Sequence, residues 1–358
     1  MAWGKQELVK SPSALLAARL TYRMLNRVYC TYFDHNYLSR GLALHRSLQR
    51  HAPNSRLWVL CLSAECHTIL VTLDLPGIVP VRLADFEAAD PELAATRADR
   101  SIVEYYFTCS AAWMLYVLAR EADAEWVTYL DGDLYFFASP EAVYEELKGA
   151  AVAIIPHRYA PNLERRRSFG TYNVGWVGAR NDPDGIAVIK WWRERCIEWC
   201  HDYVDGGRYA DQGYLDSFSL LSTRVKAVDN IGANLAPWNI ANYRIDVRDG
   251  QVMVDATPLV FFHFQGLRKG LRWFIFNSHR IFGAPFSATT RNHIYRPYME
   301  ELLAVEKITE PMLNIDETRP QARSHTIKSR ARNVGILVFQ LLDIVTGRAF
   351  LVVRDTAY

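Results

Sequence analysis

Trp126-Val127-Thr128-Tyr129-Leu130-Asp131-Gly132-Asp133 is the stretch of sequence that decides the fold. Its first five residues are apolar or β-prone, which is typical of a buried strand. Acids at the carboxyl end of a strand lie where open α/β sheets bind their ligands. Two carboxylates this close repel each other unless a cation lies between them, and their oxygens suit a hard divalent metal. The stretch therefore predicts a strand that ends in a metal site shared with a phosphate.

The segments on both sides of this strand alternate between strand and helix patterns. The predicted strands are 28–33, 57–62, 79–83, 126–130, 151–156 and 172–178. The predicted helices are 12–25, 38–50, 102–120, 140–148, 183–204 and 210–221. Such alternation is typical of βαβ units and predicts an α/β fold, with a mostly parallel central sheet flanked by helices. A further strand pair is predicted at 252–256 and 259–264, around Thr257-Pro258.

The regular pattern loosens after Trp273, which predicts a boundary near residue 275. We expect one domain over 1–275, with a leading helix at 12–25 and a core at 28–275. An extension over 276–358 would follow and end in a helical tail. The nearly apolar segment 334–345 comes after several basic residues. This arrangement predicts a helix that either lies on an anionic membrane surface or packs on the protein's own core.

Composition limits the classes of function. The chain has 358 residues, half of them hydrophobic, which is enough for a large core. A net charge of +2 gives no sign of a nucleic-acid partner. The six cysteines include no Cys-x-x-Cys pair and favour reduced thiols in the cytoplasm. Charged residues interrupt the N-terminal segment, so no signal peptide is expected there. We expect a cytoplasmic protein that is able to lie peripherally on the inner face of the membrane.

A second segment carries side chains suited to binding and catalysis. It is His263-Phe264-Gln265-Gly266-Leu267-Arg268-Lys269. A histidine at a strand end can add a nitrogen ligand to a carboxylate metal site, which favours manganese over magnesium. Gly266 would let the backbone approach a phosphate closely. Lys269 would place a cation on a leaving group. Taken alone, a histidine such as His263 is more often a half-buried structural imidazole, and Lys269 is compatible with ordinary surface charge.

Together these two segments resemble family 8 of the glycosyltransferases, the group of glycogenin and the bacterial lipopolysaccharide galactosyltransferases. Three further segments resemble that family in the same order, so the resemblance spans roughly 28–270. They are Thr31-Tyr32-Phe33-Asp34 with Tyr37, Tyr172-Asn173-Val174-Gly175, and Asp211-Gln212-Gly213-Tyr214-Leu215-Asp216. The chain departs from the family pattern at Thr108-Cys109, Asp216 and Gly270-Leu271. These departures leave the identity of the transferred sugar open.

The resemblance implies a GT-A (Rossmann-like) fold, a nucleotide-sugar donor, an Mn²⁺ or Mg²⁺ ion and retention at the anomeric carbon. It implies that the metal ligands are Asp131, Asp133 and His263. The implied donor-binding residues are Thr31, Tyr32, Phe33, Asp34, Tyr37, Asn173, Gly266 and Lys269. The implied catalytic residues are Asp211, Gln212 and Lys269. Asp211 or Gln212 would orient the sugar, and Trp238 with Asn239 would either form an acceptor wall or simply pack their loop.

The leading hypothesis is a retaining, metal-dependent hexosyltransferase. It would move a hexose from a UDP-sugar to a glycan or lipid-linked acceptor in surface polysaccharide or lipopolysaccharide synthesis. One alternative is a sugar nucleotidyltransferase, which usually has a Gly-rich basic loop where this chain has Asp34-His35-Asn36-Tyr37. The other is a non-catalytic carbohydrate-binding protein on the same fold, which the altered Thr108-Cys109 keeps open.

Overall fold

A seven-stranded sheet forms the centre of the computed structural model, which describes residues 27–269, 273–313, 349–353 and 356–357. The leading helix predicted at 12–25 and the apolar segment 334–345 lie outside these residues. The described strands are β1 Arg27–Phe33, β2 Arg56–Cys61, β3 Ile78–Arg82, β4 Trp126–Leu130, β5 Leu134–Phe136, β6 Val152–Pro156, β7 Tyr172–Arg180, β8 Val225–Ala227, β9 Ile245–Arg248, β10 Gln251–Val254, β11 Thr257–Pro258, β12 Phe261–His263, β13 Leu267–Lys269, β14 Trp273–Phe276, β15 Ala349–Val353 and β16 Thr356–Ala357.

The central sheet has the strand order β3-β2-β1-β4-β7-β6-β8. Strands β3, β2, β1 and β4 are parallel to one another, β7 is antiparallel to both of its neighbours, and β8 is parallel to β6. The carboxyl ends of β1 and β4 therefore meet at one edge of the sheet, as the sequence predicted for the two aspartates. This is the mostly parallel α/β sheet that the alternating pattern indicated.

Helices cover both faces of this sheet and enclose its core. They are α1 Leu38–His51, α2 Ala64–Leu73, α3 Leu83–Ala89, α4 Pro91–Ala95, α5 Ile102–Leu118, α6 Glu141–Tyr144, α7 Pro183–Glu198, α8 Phe218–Leu221, α9 Asn277–Ile281 and α10 Arg296–Thr309. One apolar cluster joins the sheet to α5 and α7, and a second joins it to α1 and α2. Both faces of β4 are thus buried, which explains its unbroken run of apolar and β-prone residues.

Local signals explain where several helices begin and end. At the start of α5, Ser101 and Glu104 form a capping box, with hydrogen bonds of 3.3 and 2.8 Å. The helix predicted at 183–204 ends earlier, at Glu198, because Trp199 adopts an extended backbone and its carbonyl accepts a hydrogen bond from Tyr214. The helix predicted at 210–221 is a 3₁₀ segment, Gln212–Ser217, followed by the short α8.

The strand pair predicted around Thr257-Pro258 is only partly correct: Leu259 N donates to Val252 O at 2.8 Å, but the rest of the second segment pairs elsewhere. Strand β10 pairs with β9 and β11, whereas β12 pairs antiparallel with β5, far away in the sequence. Periodicity identified the apolar segments correctly, but it could not identify their partners. The observed register places His263 opposite Leu134 and therefore beside Asp133.

The part of the chain around α10 packs against the body of the molecule. Helix α10 lies on α1, and Glu301 of α10 forms ion pairs with Arg46 and Arg50 at 3.0 and 2.6 Å. Tyr298 of α10 stacks on Phe264, the residue that follows β12. The domain boundary near residue 275 stays a prediction, but the described part of the extension shares a hydrophobic cluster with β12.

Candidate active site

A cavity of about 540 Å³ opens at the carboxyl ends of β1 and β4. Its residues come from the loops after these strands, from β7 and β12, and from the segments around 157–169 and 209–212. The lining is unusually rich in aromatic side chains and also contains four aspartates. The aspartates are Asp34, Asp131, Asp133 and Asp211. Four carboxyl groups in one partly closed space are compatible with a cation site.

Asp131, Asp133 and His263 form one cluster inside this cavity, as the sequence predicted. Their potential ligand atoms all lie within 4.8 Å of one another. His263 Nε2 is 3.1 Å from Asp133 Oδ1 and 3.6 Å from Asp131 Oδ2. Two carboxylates and one imidazole suit a divalent ion such as Mn²⁺. In the described part of the chain, no other group of three or more such side chains could hold a metal.

Gly175 on β7 makes the position of His263 possible. A Cβ atom at this glycine would lie 2.8 Å from Cε1 and 2.9 Å from Nδ1 of His263, and 2.6 Å from Asn173 Oδ1. These separations are too short for any side chain larger than a hydrogen atom. The Tyr172-Asn173-Val174-Gly175 segment therefore ends in glycine because the imidazole occupies the space that a side chain would need.

Neighbouring polar groups hold the three candidate ligands in place. The Tyr129 hydroxyl donates to Asp131 at 3.0 Å, and the Tyr37 hydroxyl donates to Asp133 at 3.3 Å. Asn173 Oδ1 lies 3.3 Å from His263 Nδ1. A hydrogen on Nδ1 would be donated to Asn173 and would leave Nε2 free to face the aspartates. This second layer of contacts is typical of a metal centre.

The charges in the cluster influence one another strongly. Burial opposes the negative charge of Asp133, but nearby His263 outweighs this effect and holds the pKa of Asp133 below its usual value. Burial and the neighbouring Asp133 raise the pKa of Asp131. Burial alone would lower the pKa of His263, yet the two carboxylates raise it. The cluster thus already favours positive charge at its centre, which is the property that a cation site needs.

Asp211 and Gln212 line the same cavity but differ in how their side chains are used. The Asp211 carboxylate is buried, and its Oδ2 has no hydrogen-bond partner. Burial and the charge of Asp131 raise the pKa of Asp211 to about 7. Gln212 accepts from Asn173 Nδ2 and Val174 N, and it donates to the Phe169 carbonyl at 2.7 Å. Asp211 thus keeps one carboxylate oxygen without a partner beside the cavity, whereas Gln212 is fixed in the cavity wall by its hydrogen bonds.

Several of the residues predicted to bind the donor come from β1 and the turn that follows it. Tyr32, Phe33, Asp34 and Tyr37 line the cavity, while Thr31 is fully buried behind them. Asp34 caps the short turn that follows β1, because its side chain accepts from the backbone of Asn36 and Tyr37. This turn orients Tyr37 toward Asp133, so the turn and the metal cluster are directly connected.

Gly266 and Lys269 do not line the cavity in the described structure. Gly266 has a φ of 76°, and a Cβ atom there would collide with Ser278 Oγ, so the residue is required for a tight turn. Lys269 forms an ion pair with Glu306 of α10. Contact of either residue with a phosphate stays a prediction, and for Lys269 it requires this ion pair to break.

Several lining residues were not identified from the sequence. They are His157, Tyr159, Arg166, Phe169, Tyr209 and Phe282. Burial lowers the pKa of His157 to about 3, so it is neutral and stacks on Tyr159 at 4.5 Å. The one signal in the sequence was the basic cluster Arg165-Arg166-Arg167. Nothing in the sequence indicated which of these arginines faces the cavity.

Trp238 and Asn239 have different roles although they are adjacent. Trp238 lines the cavity, and its ring lies 5.0 Å from that of His263. Asn239 is fully buried, and its side chain binds the backbone of Ala236, His157 and Asn234. Trp238 is thus a candidate acceptor wall, whereas Asn239 fixes the loop behind it.

The fold and this site together define a class. The structure matches that of the galactosyltransferase LgtC in complex with donor and acceptor sugar analogs, with a TM-score of 0.50 and 17% sequence identity. The match covers 80% of this chain and 100% of LgtC. The chain therefore has the GT-A glycosyltransferase fold, as the resemblance implied.

Two sequence relatives identify the family. YfnD of Bacillus subtilis (strain 168), an uncharacterized protein, is 32% identical over 241 residues, which are 66% of this chain and 77% of YfnD. YfnF of the same organism, also uncharacterized, is 31% identical over 254 residues, or 68% of this chain and 82% of YfnF. The chain belongs to the family of YfnD and YfnF. No protein-family model matches it.

Proposed function

We propose that the protein is a retaining, metal-dependent glycosyltransferase that moves a hexose from a nucleotide-diphosphate sugar, preferably a UDP-sugar, to a glycan or lipid-linked acceptor. The observation that carries this proposal is the Asp131–Asp133–His263 cluster inside a cavity at the carboxyl ends of β1 and β4. The GT-A fold and the turn after β1, which carries Tyr37, support it. The cavity is large enough for part of a nucleotide sugar.

Asp131, Asp133 and His263 would hold the ion, which is expected to be Mn²⁺ or Mg²⁺. When bound, such an ion neutralises a diphosphate and makes it a better leaving group. Tyr37 hydrogen-bonds to Asp133 and lines the end of the cavity where the nucleotide is expected. Asn173 orients His263 and can also present its amide to a sugar hydroxyl. These contacts would position the bond between the sugar and the diphosphate next to the cluster.

Retention at the anomeric carbon requires the acceptor to attack from the face that the diphosphate leaves. Asp211 would lie against the sugar, since its buried carboxylate has an oxygen without a partner. In its ionised form this carboxylate would stabilise positive charge that develops on the anomeric carbon. Gln212 would keep the wall rigid through its bonds to Val174 and Phe169. Lys269 would assist the leaving group only after it separates from Glu306.

The test is a panel of UDP-, GDP- and dTDP-sugars with Mn²⁺, in which release of free nucleoside diphosphate is measured. We expect turnover with at least one donor and a loss of about 100-fold or more in Asp133→Asn, because the variant removes a metal ligand. Asp249→Asn is the matched control, since Asp249 is exposed in a turn and Asn tolerates its φ of 50°. Proton NMR of the product would establish the anomeric configuration.

Three results would contradict the proposal. Full turnover in the presence of a chelator would remove the role of the metal. Formation of a nucleotide sugar from a nucleoside triphosphate and a sugar phosphate would indicate a nucleotidyltransferase. Sugar binding without turnover of any donor would indicate a carbohydrate-binding protein.

We also propose a cytoplasmic location, with peripheral contact to the inner face of the membrane and a role in surface polysaccharide synthesis. None of the helices in the described residues has the length and apolar character to span a bilayer. Support for membrane contact comes from the basic and apolar sequence of 319–345. Co-sedimentation with phosphatidylglycerol vesicles should be lost when 325–358 are deleted. Unchanged sedimentation would contradict this proposal.

A further inference from the structure

Arg166 is the one residue with a permanent positive charge among the described residues that line the cavity. Its guanidinium lies 4.7 Å from the centre of the Phe282 ring, and the side chain is half-buried. Within the described residues, no carboxylate lies at ion-pair distance from it. The next residue, Arg167, is paired with Glu164 at 2.6 Å, so an acid is close by but is used elsewhere. The cavity therefore contains one oriented cation whose hydrogen-bond donors are available.

Aromatic contacts place this cation away from the expected nucleotide end. The His263 ring lies 5.0 Å from Trp238, Trp238 lies 6.3 Å from Phe282, and Phe282 in turn contacts Arg166. The turn at 35–37, where the nucleotide is expected, approaches the cluster at Asp133 and not at His263, because Tyr37 contacts Asp133. Arg166 is thus reached from the metal cluster through Trp238, the residue that is a candidate wall for the acceptor.

The surroundings of Arg166 suit a sugar that carries a negative charge. Tyr159, Phe169 and Tyr209 line the same part of the cavity, and the last two rings lie 4.8 Å apart. Aromatic faces pack against the C–H faces of sugar rings. A guanidinium stacked on an aromatic ring keeps its edge free for two parallel hydrogen bonds to a carboxylate or phosphate.

We propose that Arg166 recognises an acidic group, a carboxylate or a phosphate, on the acceptor. The acceptor is then an acidic glycan or a phosphate-linked glycolipid, not a neutral sugar. This inference rests on the proposed function, because it assigns the aromatic part of the cavity to the acceptor of that reaction.

The test compares acidic with neutral probes by saturation-transfer NMR in the presence of Mn²⁺ and UDP. The probes are methyl β-D-glucoside, methyl β-D-glucuronide and α-D-glucose 1-phosphate. We expect at least one acidic probe to bind about tenfold more tightly than the neutral glucoside, as a charge-assisted hydrogen bond would produce. The preference should disappear in Arg166→Gln and persist in Arg165→Gln, because Arg165 is exposed and does not line the cavity.

The two acidic probes also separate the two sources of the charge. Tighter binding of the glucuronide alone would assign Arg166 to a carboxylate, and tighter binding of the sugar phosphate alone to a phosphate. Equal binding of all three probes by the wild type would overturn the proposal. So would a tenfold weaker binding of UDP alone in Arg166→Gln, since that would assign the arginine to the donor. Failure of the proposed function is recognised separately, as an absence of nucleoside diphosphate release with every donor.

Discussion

At the scale of single residues, the space beside His263 is the most sensitive feature of the site. Gly175→Ala would place a methyl group 2.8 Å from the imidazole and so displace His263, a proposed metal ligand. We expect Mn²⁺ affinity to fall about 10- to 100-fold while the fold is retained. Isothermal titration with Mn²⁺ measures this effect. Gly178→Ala on the same strand is the matched control, because its closest heavy atom would be 3.2 Å away. Equal affinities in both variants would contradict the expected role of Gly175.

Asp211 gives a second prediction at this scale. The pKa of Asp211 is about 7 in the folded protein, whereas it is 3.8 in the unfolded chain. The native state therefore binds more protons between these values, and this carboxyl lowers stability as the pH rises through that range. Asp211→Asn should gain roughly 3 kcal/mol of unfolding free energy relative to the wild type on going from pH 4 to pH 7.5.

Urea unfolding in the presence of a chelator measures this difference without interference from a metal. Asp249→Asn removes an exposed carboxylate from a turn and is the matched control at each pH. A difference between Asp211→Asn and the wild type that does not change with pH would mean that Asp211 ionises normally.

At the scale of elements, α10 supports the strand that carries His263. Tyr298 of α10 is fully buried and stacks on Phe264 with ring centres 3.8 Å apart. Tyr298→Ala should lower the free energy of unfolding by about 3–5 kcal/mol because it leaves a cavity behind the strand. The same variant should weaken Mn²⁺ binding, since His263 precedes Phe264. Thermal unfolding and Mn²⁺ titration provide the two measurements.

Tyr298→Phe is the matched control for this prediction. The Tyr298 hydroxyl is buried and has no hydrogen-bond partner, so its removal should be neutral or stabilising by up to about 1 kcal/mol. A loss of stability in Tyr298→Phe comparable with that in Tyr298→Ala would show that the hydroxyl, and not the stacked ring, connects α10 to the site.

At the scale of the whole molecule, the proposed metal site would couple metal binding to folding. The candidate ligands come from the turn after β4 and from β12, so they meet only in the folded state. Mn²⁺ at about a hundred times its Kd should therefore stabilise the protein by about 2.7 kcal/mol. Differential scanning calorimetry with and without Mn²⁺ measures the shift. Asp133→Asn should abolish most of it, and an equal shift in that variant would place the metal elsewhere.

The sequence by itself determined the kind of fold and the chemical nature of the site. An apolar run that ends in Asp131 and Asp133 indicates a central strand and a charged loop, because burial and charge are properties of local sequence. The resemblance of the ordered motifs to a glycosyltransferase family identified His263 as the third candidate ligand beside this pair. The boundaries of β4 and most of the sheet strands followed from the same pattern, as the described structure confirms.

Only the tertiary structure decided which residues share the cavity. The pairing of β12 with β5 brings His263 to Asp133, and α10 holds Lys269 in an ion pair with Glu306. The orientation of Arg166 depends on Phe282, which lies more than a hundred residues away along the chain. Such contacts join segments whose local patterns are independent of one another, so no periodicity in the sequence could have indicated them.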